Sequence, residues 1–273
     1  MHKSGLKVKI LLFIGILIAI IALIYLGKNL FTILMDYHTS DVEYDNLVDN
    51  FVKQPEISKS IEKIEEINEN NDEEETITGY PFVSIDWETL KKINPDIVAW
   101  IRIPGTVINY PVMQGKTNDD YIHTTFEKKT TSAGSIFLDY RNSYNLNDYV
   151  NVIYGHNMNN GSMFNLLKKY LKKDYLDAHK YIEIYTPEYA KVYEVSFVYT
   201  TCYWDGAYDF TINDKDTYKT YLEERNAQSY IKKEVLDADK KAIVLSTCHG
   251  KRGTENRCLV IITPSDDFEP VYY

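Results

Sequence analysis

Seventeen consecutive apolar residues, Ile10 to Leu26 (ILLFIGILIAIIALIYL), give this chain a segment that water rejects and that must be buried somewhere. At about 1.5 Å per residue the run reaches the short end of what crosses a hydrocarbon layer roughly 30 Å thick. Gly27 and Leu30–Leu34 extend it. Lys3, Lys7 and Lys9 precede the run and Lys28 follows it, so the positive-inside rule predicts an inside N-terminus and an outside remainder. No small-x-small cleavage site follows, and the run exceeds a usual signal-peptide core, so it reads as an uncleaved anchor.

Charge then divides the chain. Residues 31–79 hold fourteen acids against Lys53, Lys59 and Lys63, whereas residues 80–273 carry 23 bases and 26 acids. The formal net charge of −10 therefore belongs mostly to a stalk, not to the body. A nucleic-acid partner needs a basic footprint on the folded part, and the composition offers none. The expected organisation is a cytoplasmic tail (1–9), an anchor (10–30), an acidic and partly helical stalk (31–79) and an extracellular domain (80–273). Within the stalk, Leu47, Val48 and Phe51 line one helical face, and Ile57, Ile61, Ile64 and Ile67 recur at helical spacing. The following run, NENNDEEET, is a solvated linker by composition.

From Tyr80 the pattern changes to short strands and turns. Asp86 is placed to cap a helix over Trp87–Ile93, ended before Pro95. Strands are predicted at Trp100–Ile103, Val107–Val112, Gly134–Leu138, Val150–Tyr154, Tyr181–Tyr185, Lys191–Tyr199, Ala242–Thr247 and Arg257–Ile262. In Lys191–Tyr199 the apolar Tyr193, Val195, Phe197 and Tyr199 alternate, as in a half-buried strand. Helices are predicted at Met163–Tyr170 and, capped by Asp214, at Lys215–Arg225. Many short strands with few helices predict a mainly β fold, a closed antiparallel β-barrel with peripheral helices.

The chemistry-bearing residues sit at strand ends. Cys248 follows the apolar strand AIVLST and precedes the loop HGKRGTEN, and Arg257 opens the next strand, RCLVII. His156 lies just past VNVIY, after Gly155, which frees the backbone for a sharp turn. A free thiol has a pKa near ~8.5 and needs help to be a thiolate at neutral pH. An imidazole relays a proton between leaving and attacking amines, and a guanidinium offers fixed donors to an oxyanion or a carbonyl. Three cysteines, Cys202, Cys248 and Cys258, make no disulfide framework, and a Cys202–Cys258 bridge has no support in the spacing. A zinc site from Cys248, His249 and Cys258 lacks a fourth ligand and the usual spacing. His249 neighbours the thiol, but adjacent residues of an extended chain point to opposite faces. A papain-like order, with the nucleophile early on a helix, does not fit.

LSTC at Leu245–Cys248 resembles the sortase signature TLxTC except at its first position, which is Val244 here. The strand-initial Arg in ENRCLVI is similar to the family's Arg, and WIRIPGTVINYPVMQGKTNDDYI, GSIFLDYRN and NVIYGHNMNNGSMF are similar to class B sortases in particular; the likeness spans about Asn94 to Ile262. The helix at Lys215–Arg225 matches the helical insertion of that class. The resemblance implies a surface transpeptidase of a Gram-positive cell, with the catalytic domain outside. Cys248 would attack the threonyl carbonyl of a sorting signal to form a thioacyl intermediate. His156 would protonate the departing amine and deprotonate the incoming one, and Arg257, rather than mid-loop Arg252, would hold the oxyanion. It further implies that Asn118, Ile122 and Ser246 line the peptide groove, that no metal or cofactor is needed, and that the partners are sorting-signal-bearing proteins and a peptidoglycan-precursor or pilin amine. His249 stands where some relatives carry an acid. The alternative is a tethered surface domain that binds peptide or wall glycan without turnover.

Overall fold

The computed structural model describes residues 3–55, 80–250 and 255–273. The isoleucine spacing at 57–67, the acidic run after it, and Arg252 lie outside the described residues. Helix α1 (Lys3–Phe51) is 49 residues long, which at 1.5 Å per residue is about 74 Å. Its apolar side chains from Leu11 to Met35 are exposed, and among the described residues it is the one helix long and apolar enough to cross a membrane. The helix does not stop near residue 30. It continues through the first acidic stretch to Phe51, and the face of Leu47, Val48 and Phe51 packs on the body.

After α1, β1 (Val52–Lys53) and β2 (Ser84–Ile85) form a small antiparallel ribbon. Helix α2 (Trp87–Ile93) begins where expected, because Asp86 accepts from the Thr89 N–H at 3.0 Å. The body is built from β3 (Ile97–Arg102), β4 (Asn109–Met113), β5 (Ile136–Leu138), β6 (Val150–Tyr154), β7 (Tyr181–Tyr185), β8 (Tyr189–Cys202), β9 (Ala242–Cys248) and β10 (Asn256–Pro264). These eight hydrogen-bond in the order β10-β9-β6-β5-β4-β3-β7-β8, and β10 pairs with β8 to close the barrel. Closure removes the free edges. The expectation of an antiparallel barrel needs one correction, since strand orientation is mixed: β4–β5 and β6–β9 are parallel pairs. Each needs a long crossover, and chain segments with short helices supply them. These helices are α3 (Asp119–Ile122) between β4 and β5, and α4 (Lys173–Ala178) and α5 (Lys215–Gln228) between β6 and β9. Between His156 and α4 the predicted helix is a 3-10 segment, Asn165–Leu171.

The uninterrupted apolar strands have a physical reason. Ile153, Ile243, Leu245, Val260 and Ile262 fill the barrel interior. Their alternates Val150, Val152, Val244, Leu259 and Ile261 point outward and are covered by Tyr218, Tyr221 and Leu222 of α5. Strands buried on both faces lose the polar alternation. In β8 the predicted half-buried alternation is absent for another reason: Ile261 pairs with Phe197 but Ile262 pairs with Val195, a bulge that skips Ser196. Tyr193 and Val195 consequently join the interior cluster while Phe197 and Tyr199 join the outer one. A bulge reverses which face a strand's side chains take.

Candidate active site

Strand register brings the three predicted chemical groups to one end of the barrel. Arg257 is the direct partner of Cys248 in the β9–β10 ladder, and Thr201 of β8 is the next residue along the same row. On the other side of β9, the parallel ladder with β6 sets Tyr154 beside Ser246, two residues before His156 and Cys248 respectively. The connection stays tight beyond the strand. The Gly155 N–H donates to the Ser246 carbonyl at 3.1 Å, and Thr247 Oγ1 donates to the Gly155 carbonyl at 2.8 Å. Asn157 Nδ2 then donates to the Cys248 carbonyl at 3.0 Å. Alternation puts Cys248 and Arg257 on the outer face of the barrel wall, with Val244 and Leu259, and not in its filled interior. Cys248 is a free, half-buried thiol, so reagents have access to it.

His156 is half-buried, and its Nε2 lies 2.7 Å from the Ile122 carbonyl. Its ring is stacked on that of His123, with centroids 5.5 Å apart. Gly155 has a different role from the expected sharp turn. It is not among the positive-φ residues, but an added Cβ would lie 2.4 Å from Ile136 Cδ1 and 2.7 Å from the Phe164 ring. Space demands glycine there.

The predicted groove residues are placed unequally. Ile122 is half-buried and ends α3. The Asn118 side chain is engaged within the protein: Nδ2 donates to Asp139 at 2.9 Å and Oδ1 accepts from the Tyr140 N–H at 3.1 Å. Ser246 is 1 % exposed, and its hydroxyl is 2.9 Å from the Tyr208 hydroxyl. What stands over this face is therefore Tyr208. It arrives on a short 3-10 turn, Gly206–Tyr208, capped by Asp205, which accepts from the Ala207 N–H at 2.8 Å and from Arg225 Nη1 at 2.7 Å. Burial pushes the Tyr208 phenol up to about 12, opposed by the Ser246 hydrogen bond and the Arg257 charge and reinforced by Asp205 and then Cys248, so it remains a hydroxyl at neutral pH. Sequence reasoning passed over Tyr208 and Asn157. The aromatic run YWDGAYDF between a strand and a helix was the available signal for the first; nothing local marks the second.

Of the other cysteines, Cys258 is fully buried in the barrel wall. Cys202 faces Asn256 while Cys258 faces Thr200, a diagonal offset, and both thiols are free.

Comparison with known proteins places this geometry in context. Residues 101–265 match the Sortase domain family. Sortase B of Staphylococcus aureus (strain NCTC 8325 / PS 47) is 35% identical over 178 residues, spanning 64% of this chain and 72% of the relative. Sortase B of Listeria monocytogenes serovar 1/2a is 38% identical over 181 residues, 63% of this chain and 70% of the relative. Among solved structures, a Staphylococcus aureus sortase B–substrate complex superposes with a TM-score of 0.64 at 28% identity, covering 85% of this chain and 98% of the other.

Proposed function

The chain belongs to the sortase family, alongside its class B members, and from that premise we propose that it cleaves a C-terminal sorting motif after threonine and joins the new carboxyl end to a wall or pilin amine. Sortases are cysteine transpeptidases of the cell surface, and the reading assigns the steps to named groups. The Cys248 thiolate attacks the threonyl carbonyl, and the electron pair moves onto the carbonyl oxygen, which Arg257 stabilises as an oxyanion. Collapse expels the amine, protonated by His156⁺, and leaves a Cys248 thioacyl ester. The incoming amine attacks that ester, His156 takes its extra proton, and the Cys248 thiolate departs. One amide is broken and one is formed, so no oxidant or metal enters the balance.

The observation that carries the reading is the register: a strand on either side of β9 delivers Arg257 and His156 toward the same strand end as Cys248. The sorting peptide would lie against Ile122 and Asn118, with Ser246 acting on it through Tyr208. Helix α1 would cross the membrane within residues 10–30 with its N-terminus inside, holding the domain from residue 80 onward outside.

Replacing Cys248 by Ala tests the proposal. The full chain in detergent micelles is incubated with a sorting peptide and an amine, and products are read by mass. Wild type yields the thioacyl adduct and the transfer product, and Cys248→Ala yields neither. Turnover by Cys248→Ala rejects the mechanism. Peptide binding by wild type without an adduct supports the binding-domain alternative instead.

A further inference from the structure

We propose that Glu43 and Tyr44, on the membrane-proximal part of α1, are positioning residues for His156, an inference that rests on the reading of His156 as the acid–base group. A carbonyl oxygen only accepts hydrogen bonds, so the 2.7 Å contact with Ile122 requires the proton on His156 Nε2. In the neutral ring this leaves Nδ1 as the atom that takes and gives the substrate's proton. Whatever aims the Ile122 carbonyl therefore acts on the tautomer and, together with the stacked His123 ring, on the ring orientation.

That carbonyl is aimed by the loop at residues 123–135. The peptide before it is held by the Ser135 N–H, which donates to the Tyr121 carbonyl at 3.0 Å. The peptide after it is held by the Thr131 N–H, which donates to the His123 carbonyl at 3.0 Å. Between them the Gly134 backbone presses on Ile122, so closely that a Cβ on Gly134 would lie 2.3 Å from the Ile122 oxygen.

Helix α1 grips this loop with the buried Glu43 and Tyr44 and the half-buried Asp36. The Tyr44 hydroxyl donates to the Gly134 carbonyl at 2.7 Å and lies 3.2 Å from Ser135 Oγ. The Glu43 carboxylate accepts from the Glu127 N–H at 2.8 Å and from Thr125 Oγ1 at 3.0 Å, and pairs with Lys129 Nζ at 3.3 Å. Asp36 accepts from the Ser132 N–H and hydroxyl. Tyr44 is also linked to the His156 backbone through Tyr110. Its ring packs edge-on against Tyr110 at 5.3 Å, and the Tyr110 hydroxyl accepts from the Met163 N–H at 3.2 Å. Next to Met163, the Phe164 N–H donates to the His156 carbonyl at 2.9 Å. A buried carboxylate such as Glu43 adds little net stability over an apolar residue, but its partners are fixed in direction. Misplacing a catalytic group by about 1 Å costs up to ~100-fold in rate.

The test uses the full chain in micelles with Tyr44→Phe, Glu43→Ala and Glu43→Gln, each checked for folding by circular dichroism. Two readouts are taken: kcat and KM for sorting-peptide cleavage, and the ¹⁵N shifts of His156, assigned by their loss in His156→Gln. The expected wild-type spectrum is the Nε2–H tautomer. Tyr44→Phe and Glu43→Ala lower kcat about tenfold with KM nearly unchanged and mix the His156 tautomers, and Glu43→Gln recovers part of the loss. Folded Tyr44→Phe and Glu43→Ala with wild-type kcat and an unaltered His156 signal overturn the inference, as does a wild-type Nδ1–H tautomer. The tautomer is read without turnover. Normal variants beside an inactive Cys248→Ala therefore reject the positioning role alone, whereas an active Cys248→Ala rejects the mechanism beneath it.

Discussion

Cys248 and Arg257 face each other directly across the β9–β10 ladder, on the covered outer side of the barrel wall. Directly opposed residues in an antiparallel pair have Cβ atoms about 4.5–5.5 Å apart, which sets the root of the Arg257 side chain beside that of Cys248, while Arg257 Nη1 donates to the Asn256 carbonyl at 3.0 Å. Arg257→Ala is expected to lower kcat for peptide cleavage by about 10²–10³, the usual cost of an oxyanion donor. Arg257→Lys recovers only a fraction, because a point charge does not reproduce a planar fork of donors. Steady-state cleavage assays check both, and a wild-type kcat for Arg257→Lys would show that charge alone suffices.

Cys258 should separate from Cys248 by reactivity. Burial pushes the Cys258 thiol up to about 12, so it stays a thiol at pH 8. Cys248 and Cys202 are half-buried. Brief treatment with a methanethiosulfonate at pH 8, followed by peptide mass mapping, should label Cys248, spare Cys258 until the chain is unfolded, and lose the Cys248 label when sorting peptide is present. Labelling of Cys258 at a rate like that of Cys248 in folded protein contradicts the assignment.

The ends of β6, β7 and α2 were legible to the residue, since strand punctuation and the Asp86 cap are local signals. Which strands lie side by side was not. The parallel β6–β9 pairing that brings His156 to Cys248 joins segments about ninety residues apart, and nothing in either segment names its partner. Nothing in the stalk's acidic composition marks Glu43, which is 3 % exposed because loop donors meet it from elsewhere in the chain. The resemblance implies a groove position for Ser246, two residues before Cys248. The covering residue, Tyr208, comes from the excursion between β8 and β9. Gly155 shows the same limit, because the atoms that exclude a side chain there belong to Ile136 and Phe164.

Asp139 ties the groove to the wall beneath it, and its ionisation gives a signed prediction. Its side chain is fully buried and accepts from the Arg141 N–H at 3.0 Å, from Arg141 Nε and Nη2 at 2.8 Å each, from Asn118 Nδ2 at 2.9 Å and from the Tyr154 hydroxyl at 3.0 Å. Burial is the largest single influence and pushes the carboxyl up, but the Arg141 and Asn118 donors together outweigh it, so its pKa is lowered. A carboxyl depressed on folding contributes stability that is present above the unfolded value, near ~3.9, and is lost as pH falls through the lower folded value. Asp139→Asn should therefore destabilise the protein by about 2 kcal/mol at pH 7, the order expected for losing charge-assisted hydrogen bonds. The gap between wild type and variant should narrow as pH drops below about 4, where the unfolded chain's carboxyl begins to take up a proton while the folded one stays ionised, and should close as pH falls through the lower folded value. Urea unfolding followed by Trp fluorescence across pH 2.5 to 7 measures the gap. The same variant should raise KM for the sorting peptide, because one of the two oxygens that accept from Asn118, Arg141 and Tyr154 becomes an NH2 donor and the Asn118 side chain is held less firmly. A gap that stays constant down to pH 2.5 would mean that Asp139 acts through shape and not through charge.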